Sequence, residues 1–147
     1  MRLMMKPGRH GWDQGDRRTR YERGLETAEE LAGHEAVQKF LDDLEPISRS
    51  TARLVIETVF GTLHHQPVLD HRDRELVTLA ALAVLGDTEK ELKLHLSIAH
   101  RAGIQPSSVV ALFAHISAYA GFPRTLNALS VAKSFYAELG LLPLDQL

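Results

Sequence analysis

Apolar residues recur along most of the chain at every third or fourth position, the spacing that lines one face of an α-helix. Glycine and proline, which commonly end helices, separate these periodic stretches from one another. No stretch shows the alternation of apolar and polar residues that marks a half-buried strand. The sequence therefore predicts an all-α, single-domain bundle of about six to seven helices. The candidate helices span residues 19–32, 34–43, 49–63, 71–86, 88–102, 107–120 and 123–139.

The first part of the chain lacks this periodicity. Residues 1–18 are rich in glycine and charge, which predicts a flexible N-terminal arm ahead of one helical domain over residues 19–147. Arginines concentrate near that start, but acidic residues interleave with them, and the net charge of the chain is −2. Because no broad basic field results, we do not expect nucleic acid as a partner.

Two of the predicted helices are more hydrophobic than the surface of a monomer tolerates. The stretches RELVTLAALAVLG at 74–86 and VVALFAHISAYAG at 109–121 are apolar on nearly every side. A helix that is apolar all round must be covered all round. In so small a protein a second subunit is the simplest cover, so we expect a homo-oligomer. A central helix in a monomeric bundle is the alternative.

The sequence lacks the residues that several kinds of site and segment require. The chain contains no cysteine, which excludes disulfides, thiolate zinc sites and thiol nucleophiles. No apolar run reaches the ~20 residues that a membrane span needs, and MRLMMK at the start is too short for a signal-peptide core. We therefore expect a cytoplasmic protein with no membrane partner.

Two ionisable residues interrupt the apolar face of the helix predicted over 88–102. Glu91 and His95 lie one turn apart in ELKLHLSIAHRAG, at positions where the helical pattern predicts apolar residues such as leucine. A buried carboxylate needs a partner, and a histidine beside it is an arrangement that tunes acid–base groups. The pair is thus a candidate for proton transfer. The structural alternatives are a glutamate that suits the first turn of a helix and a histidine satisfied within the core.

Further candidates lie on the neighbouring helices. His115 and Tyr119 are one turn apart in the second apolar stretch, where they form either a core hydrogen bond or the wall of a pocket. Arg72 and Arg74 fall in the first turn of helix 71–86, where the helix dipole disfavours cations. Either they are solvated at the surface, or one of them holds a substrate carboxylate.

His64 and His65 stand side by side in an irregular segment before Pro67. Two adjacent histidines are possible metal ligands, but no Cys/His spacing of a known metal site surrounds them. We therefore expect no metal site, and we keep His64 as a candidate for contact with a substrate.

The chain resembles the carboxymuconolactone decarboxylase family from about Arg20 to Glu138. The resemblance implies an all-helical, alkylhydroperoxidase D-like fold that assembles as trimers or hexamers through hydrophobic helices. The matching stretches are RYERG at 20–24, VFG at 59–61, LDHRDRELVTLAALAVLG at 69–86, ELKLH at 91–95, AG at 102–103 and AYAGFPRTLNAL at 118–129.

The family has two chemical branches. The branch of thiol peroxidases carries two cysteines on the helix that bears the histidine, and Thr88 and Glu91 stand at those positions here, so peroxidase activity is excluded. The cysteine-free branch shares Glu91 and His95 with this chain. Its resemblance implies decarboxylation of 4-carboxymuconolactone, in the degradation of aromatic compounds, without a metal or an organic cofactor.

The resemblance also implies roles for the candidate residues. Loss of carbon dioxide from a carboxylated lactone leaves a dienolate, to which a general acid must return a proton. We expect His95 to transfer that proton and Glu91 to orient and polarise His95. The candidates for binding the small carboxylated substrate are Arg72, Arg74, His115, Tyr119 and His64.

Two departures from the family pattern keep alternatives open. Ser107, Ser108 and Ala111 stand where decarboxylases of the family commonly have acidic residues. The segment 64–66 reads His-His-Gln where the family often has Trp-Ser-Arg, and loss of that arginine argues for a different substrate. The alternatives are therefore a relative with a changed small-molecule substrate, acting as a lyase, isomerase or tailoring enzyme, and a non-catalytic oligomeric module.

Overall fold

A computed structural model describes residues 18–144, and the regular structure in that range is entirely helical. This confirms the all-α prediction. The arm predicted at 1–18 lies, except for its last residue, outside the described residues. No helix among residues 18–144 is long and apolar enough to cross a membrane. The elements are α1 (Arg20–Ala32), α2 (His34–Val55), a π-helical turn (Ile56–Phe60), a 3-10 turn (Leu63–His65), α3 (His71–Leu85), α4 (Glu89–Arg101), α5 (Pro106–Ala120) and α6 (Phe122–Glu138).

The helices begin where the sequence supplies capping groups. The Thr19 side chain accepts a hydrogen bond from the backbone N–H of Glu22, and the Glu22 carboxylate returns one to the backbone of Thr19, which closes a capping box at the start of α1. The Asp70 carboxylate accepts from the backbone N–H of Asp73 at 2.8 Å and caps α3. These caps fix the first turns from which α1 and α3 present their polar residues.

The interruption predicted between the helices at 34–43 and 49–63 is present as a kink, where the backbone leaves the helical conformation at Ser48. Residues 34–55 form one element, α2, with a kink at Ser48, whose φ and ψ are −159° and 83°. Pro46 lacks the N–H that a continuous helix needs there. The Ser48 hydroxyl accepts from the backbone N–H of Thr51 at 3.3 Å, so it caps the second half of α2. The chain then continues into the π-helical turn without a break.

Buried apolar side chains form two clusters. The larger lies between α3, α4, α5 and α6, and its largest fully buried side chains are Leu79, Leu96, Val109, Phe113 and Tyr136. The smaller lies between α1, α2 and the π-helical turn, around Ala28, Val37 and Ile56. The loop from the 3-10 turn to the start of α3 connects these two halves, and the polar residues described below meet there.

Two glycines allow α1 to lie directly against the π-helical turn. A Cβ atom on Gly24 would stand 2.3 Å from the carbonyl oxygen of Ile56, and one on Gly61 would stand 2.2 Å from that of Arg20. No side chain fits at either distance, so this contact is made by backbone against backbone. These glycines belong to the RYERG and VFG stretches, which gives both motifs a packing role.

Parts of the hydrophobic helices remain exposed on the single chain. Helix α3 buries Leu79 and Ala83, yet Val77, Val84 and Leu85 are exposed on its other faces. Near the junction of α5 and α6, Tyr119, Phe122 and Leu126 are 81%, 69% and 61% exposed. The predicted hydrophobic surface is thus present on these helices, and assembly through it stays a prediction.

Candidate functional site

The centre of the candidate site is a hydrogen bond between His95 on α4 and Glu75 on α3. The Nδ1 atom of His95 lies 2.8 Å from Oε1 of Glu75. Glu75 is only 3% exposed, whereas the side chain of His95 retains 21% of its exposure. A buried carboxylate is costly unless it is paired, so this contact fixes both side chains.

This pairing sets the chemistry of His95. A carboxylate that accepts from Nδ1–H leaves the Nε2 atom of the imidazole to exchange protons with another group. The contact with Glu75 also fixes the orientation of the imidazole ring. Because His95 is partly exposed and Glu75 is not, the histidine is the member of the pair that a ligand can reach. The arrangement suits general acid–base chemistry.

The predicted pair of Glu91 with His95 was wrong. Glu91 lies exposed in the first turn of α4, and His95 bonds instead to a residue twenty positions earlier in the chain. Residues one turn apart share a helix face, but the packing of α3 against α4 is what gives His95 its carboxylate partner. The role predicted for Glu91 rested on this pairing, and Glu75 is the carboxylate that contacts His95.

Glu75 was missed although the sequence carries a signal for it. It is the one carboxylate inside RELVTLAALAVLG, a stretch that was treated as apolar on nearly every side. A lone acid in such a helix needs a buried partner, and that requirement would have pointed to a histidine on an adjacent helix.

A second group of ring side chains lies at the junction of the 3-10 turn and α3. The Nδ1 atoms of His64 and His71 are 3.0 Å apart, and their rings stack with centroids separated by 5.2 Å. Phe60 also stacks on His64, at 5.4 Å. His64 is half-buried, and His71 is exposed at the first position of α3. Sequence analysis singled out His64 but not His71.

The surroundings of His64 oppose its protonation. Burial, followed by the positive charges of His71, Arg74, His65 and His95, lowers the pKa of His64 to about 4. His64 is therefore neutral at pH 7. The same set of neighbours shows that His64 and the His95–Glu75 pair lie close enough to interact electrostatically.

Arg74 is the arginine that belongs to this cluster. Its guanidinium donates to the carbonyl oxygens of Gln66 at 2.7 Å and Leu69 at 3.1 Å, which ties the loop before α3 to the helix. Arg72 instead lies exposed beside Asp73, at 3.8 Å. Of the two predicted arginines, only Arg74 contributes to the field at His64.

The other predicted residues occupy separate positions. His115 and Tyr119 do contact each other, with ring centroids 5.5 Å apart, but both are exposed on α5. Within residues 18–144 no hydrogen bond or ring contact joins them to His95 or His64. A wall built from these two residues stays a prediction.

The neighbouring His65 connects the 3-10 turn to α1. Its Nε2 atom lies 3.0 Å from the hydroxyl oxygen of Thr27, which is buried on α1. His64 and His65 thus point to different partners. In the described part of the chain, no three histidine, cysteine, aspartate or glutamate side chains are grouped as a metal site requires.

Comparison with known proteins finds similar sequences, two of which are named as decarboxylases. The sequence model of the carboxymuconolactone decarboxylase family matches residues 50–134. The chain is 32% identical over 124 residues to 4-carboxymuconolactone decarboxylase of Acinetobacter baylyi, which covers 84% of this chain and 92% of the relative. It is 28% identical over 113 residues to nitrosuccinic acid decarboxylase of Metarhizium robertsii, covering 77% of this chain and 78% of the relative. An uncharacterized 15.0 kDa protein of Paracoccus denitrificans is 27% identical over 116 residues, 73% of this chain and 87% of the relative.

Proposed function

Because the chain belongs to the carboxymuconolactone decarboxylase family, we propose that it is a carboxy-lyase acting on a small carboxylated molecule. The observation that carries the proposal is the hydrogen bond between the buried Glu75 and the partly exposed His95. A carboxylated lactone of the 4-carboxymuconolactone type is the first candidate substrate, since the A. baylyi relative is named for it. As the family resemblance implies, the reaction takes place without a metal or an organic cofactor.

The proposed step uses one proton and leaves no charge on the product carbon. The bond between the ring carbon and the carboxylate breaks, carbon dioxide leaves, and the electron pair spreads into the lactone as a dienolate. The His95 imidazolium then gives its Nε2 proton to carbon, and solvent restores that proton. Glu75 holds the ring in place through Nδ1–H and stabilises the imidazolium. Nearby positive charge on Arg74 stabilises the dienolate as it forms.

A changed substrate is the second candidate. The second relative is named for nitrosuccinic acid, which, like a carboxylated lactone, carries a carboxyl group on a carbon whose negative charge a neighbouring group can delocalise. The observation that favours a change is the His-His-Gln segment at 64–66, in which Gln66 stands where the resemblance expects an arginine and His64 lies within electrostatic reach of His95.

The proposed oligomer is an assembly of identical chains, as trimers or hexamers, through the exposed apolar faces of α3, α5 and α6. Val84, Leu85, Tyr119, Phe122 and Leu126 supply that surface. Removing these side chains from water favours association, at about 25 cal/mol for each Å² of apolar surface buried. If the protein forms this assembly but turns over no substrate, it is the non-catalytic oligomeric module named as an alternative in the sequence analysis.

The test is release of carbon dioxide from 4-carboxymuconolactone and from 2-nitrosuccinate by the purified protein. The unmodified protein should turn over at least one of them, and His95→Asn should lower kcat/KM by about 100-fold or more. Circular dichroism shows whether the variant is folded. Equal turnover by a folded His95→Asn variant would remove His95 from the mechanism. Absence of turnover of both compounds by the folded, unmodified protein would reject the proposed substrates.

A further inference from the structure

The contact between His64 and His71 has a property that the proposed proton transfer at His95 does not use. Their Nδ1 atoms face each other at 3.0 Å, so one Nδ1–H must donate to the lone pair of the other ring. A proton added to the donor ring at Nε2 leaves this hydrogen bond intact and gives it a charged donor, which strengthens it. A second proton would place hydrogens on both Nδ1 atoms and break the contact. The pair therefore accepts one proton but not two.

The surroundings of the pair oppose the addition of a proton to His64. The groups facing His64 are His71 and Arg74 from α3, His95 from α4 and His65 from its own turn, and all of them bear positive charge when protonated. Glu75, the buried carboxylate on α3, is already bonded to His95. Burial adds to this repulsion, and the pKa of His64 is held at about 4. An anion placed beside the pair would supply the missing negative charge.

We propose that His64 and His71 form a carboxylate-binding subsite that takes up one proton from solvent as the anion binds. This deepens the proposed function and rests on it in one respect, the carboxylated nature of the substrate. The reaction removes one carboxylate of the substrate, and the subsite holds another carboxylate that stays on the product. The ligand is therefore a dicarboxylate rather than a monocarboxylate. The proton enters at Nε2 of one ring, and the new N–H donates to a carboxylate oxygen.

Proton uptake gives the binding of a dicarboxylate a defined pH dependence. Between the pKa of the histidine pair in the free protein and its higher value in the complex, affinity should rise as pH falls, by up to about tenfold for each pH unit. Above the pKa in the complex, the affinity should level off at its lower value. A site made of arginine alone would show no such slope, because arginine stays protonated throughout.

The experiment is titration calorimetry with succinate at pH 6.5, in two buffers of different ionisation enthalpy. The difference between the two apparent enthalpies counts the protons taken up. The unmodified protein should take up between about half and one proton for each succinate bound. Succinamide, the uncharged analogue, should not bind. His34→Gln is the matched control, since it removes an exposed histidine whose partner is Glu29 and should leave the proton count unchanged.

His64→Gln and His71→Gln should each abolish proton uptake and weaken succinate binding by about tenfold. Free succinate has the same protonation in every experiment. A difference in proton uptake between two variants therefore comes from the protein. Histidine ¹⁵N chemical shifts of the unmodified protein give a check that needs no substitution. Addition of succinate should move one imidazole from the neutral to the protonated pattern.

Three results would overturn the subsite: succinate binding without proton uptake, proton uptake that survives in both variants, and no succinate binding. Failure here is separate from failure of the proposed function. Turnover that requires His95, without proton-linked succinate binding, removes the subsite alone. Proton-linked binding in a protein that releases no carbon dioxide leaves the subsite in place and removes the decarboxylase.

Discussion

His95 and Glu75 are twenty residues apart in the chain, and a hydrogen bond of 2.8 Å joins them across α3 and α4. One end of this bond is nearly inaccessible to solvent, and the other is partly open. A structural ion pair would have no need for that asymmetry, whereas a group that exchanges protons with a ligand needs a fixed side and a reachable side. The proposed function therefore gives the supporting role to the glutamate and the reacting role to the histidine.

Glu75→Gln and Glu91→Gln provide a direct comparison of the two glutamates. Glu75→Gln keeps the size of the side chain but removes the charge that stabilises the His95 imidazolium, so kcat/KM should fall by about 100-fold. Glu91→Gln changes an exposed side chain, and its effect on kcat/KM should be smaller than about threefold. Steady-state kinetics gives kcat/KM for both variants and shows which glutamate the reaction requires. The reverse order of effects would restore the role first predicted for Glu91.

His95→Ala should destabilise the protein as well as inactivate it. The substitution leaves the Glu75 carboxylate buried without its partner, and breaking such a pair costs about 3 kcal/mol or more. Adding Glu75→Gln removes the uncompensated charge, so the double variant should be more stable than His95→Ala alone. Urea unfolding at pH 7 measures both. If the two substitutions were simply additive, the pair would contribute no coupling and the burial argument would be wrong.

The stability of the protein should fall with acid through His64. Its pKa is about 4 in the folded chain and 6.5 in the reference state, so the unfolded chain binds more protons between these values. Stability from this group is complete above pH 6.5 and is lost as the pH falls through about 4. The contribution should be about 2 kcal/mol, after allowance for the solvent that reaches a half-buried ring.

The measurement is urea unfolding at pH 7 and pH 4.5 for the unmodified protein and His64→Gln. The variant should lose less stability on acidification, because glutamine does not titrate. The control is His34→Gln, which should follow the unmodified protein. Identical pH dependence in the unmodified protein and His64→Gln would show that folding does not lower the pKa of His64.

The fold was more predictable from sequence than the site. Helix 88–102 was predicted and 89–101 was found, because apolar spacing and the following glycine are properties of the local chain. The pairs His95–Glu75 and His64–His71 join different elements, and periodicity does not say which turn of one helix faces which turn of another. The break predicted between the helices at 34–43 and 49–63 is likewise a local feature, since Pro46 marks it in the sequence and the structure has its kink at Ser48. The capping hydroxyl that lets α2 resume depends on the local backbone geometry rather than on pattern.

Gly24→Ala should be among the most damaging small substitutions in the chain. The added Cβ would stand 2.3 Å from the carbonyl oxygen of Ile56, so α1 would have to move away from the π-helical turn. Overpacking of this kind costs about 3 kcal/mol or more when the obstacle is backbone. Gly103→Ala is the control, since no atom lies within 4 Å of its Cβ, and the cost there is only the left-handed backbone, about 1 kcal/mol. Equal melting temperatures for the two variants would contradict the close approach.

The exposed apolar surface of α6 should decide the oligomeric state. Leu126 is 61% exposed, and Leu126→Glu would place a charge in an interface that the proposal describes as apolar. This variant should dissociate toward monomers. Leu54→Glu changes a side chain of similar exposure, 63%, on α2, away from the predicted hydrophobic helices, and should keep the mass of the unmodified protein. Light scattering after size-exclusion chromatography, at equal concentrations, gives the masses. Dissociation by Leu54→Glu with no effect of Leu126→Glu would move the interface to α2, and a monomeric unmodified protein would remove the oligomer altogether.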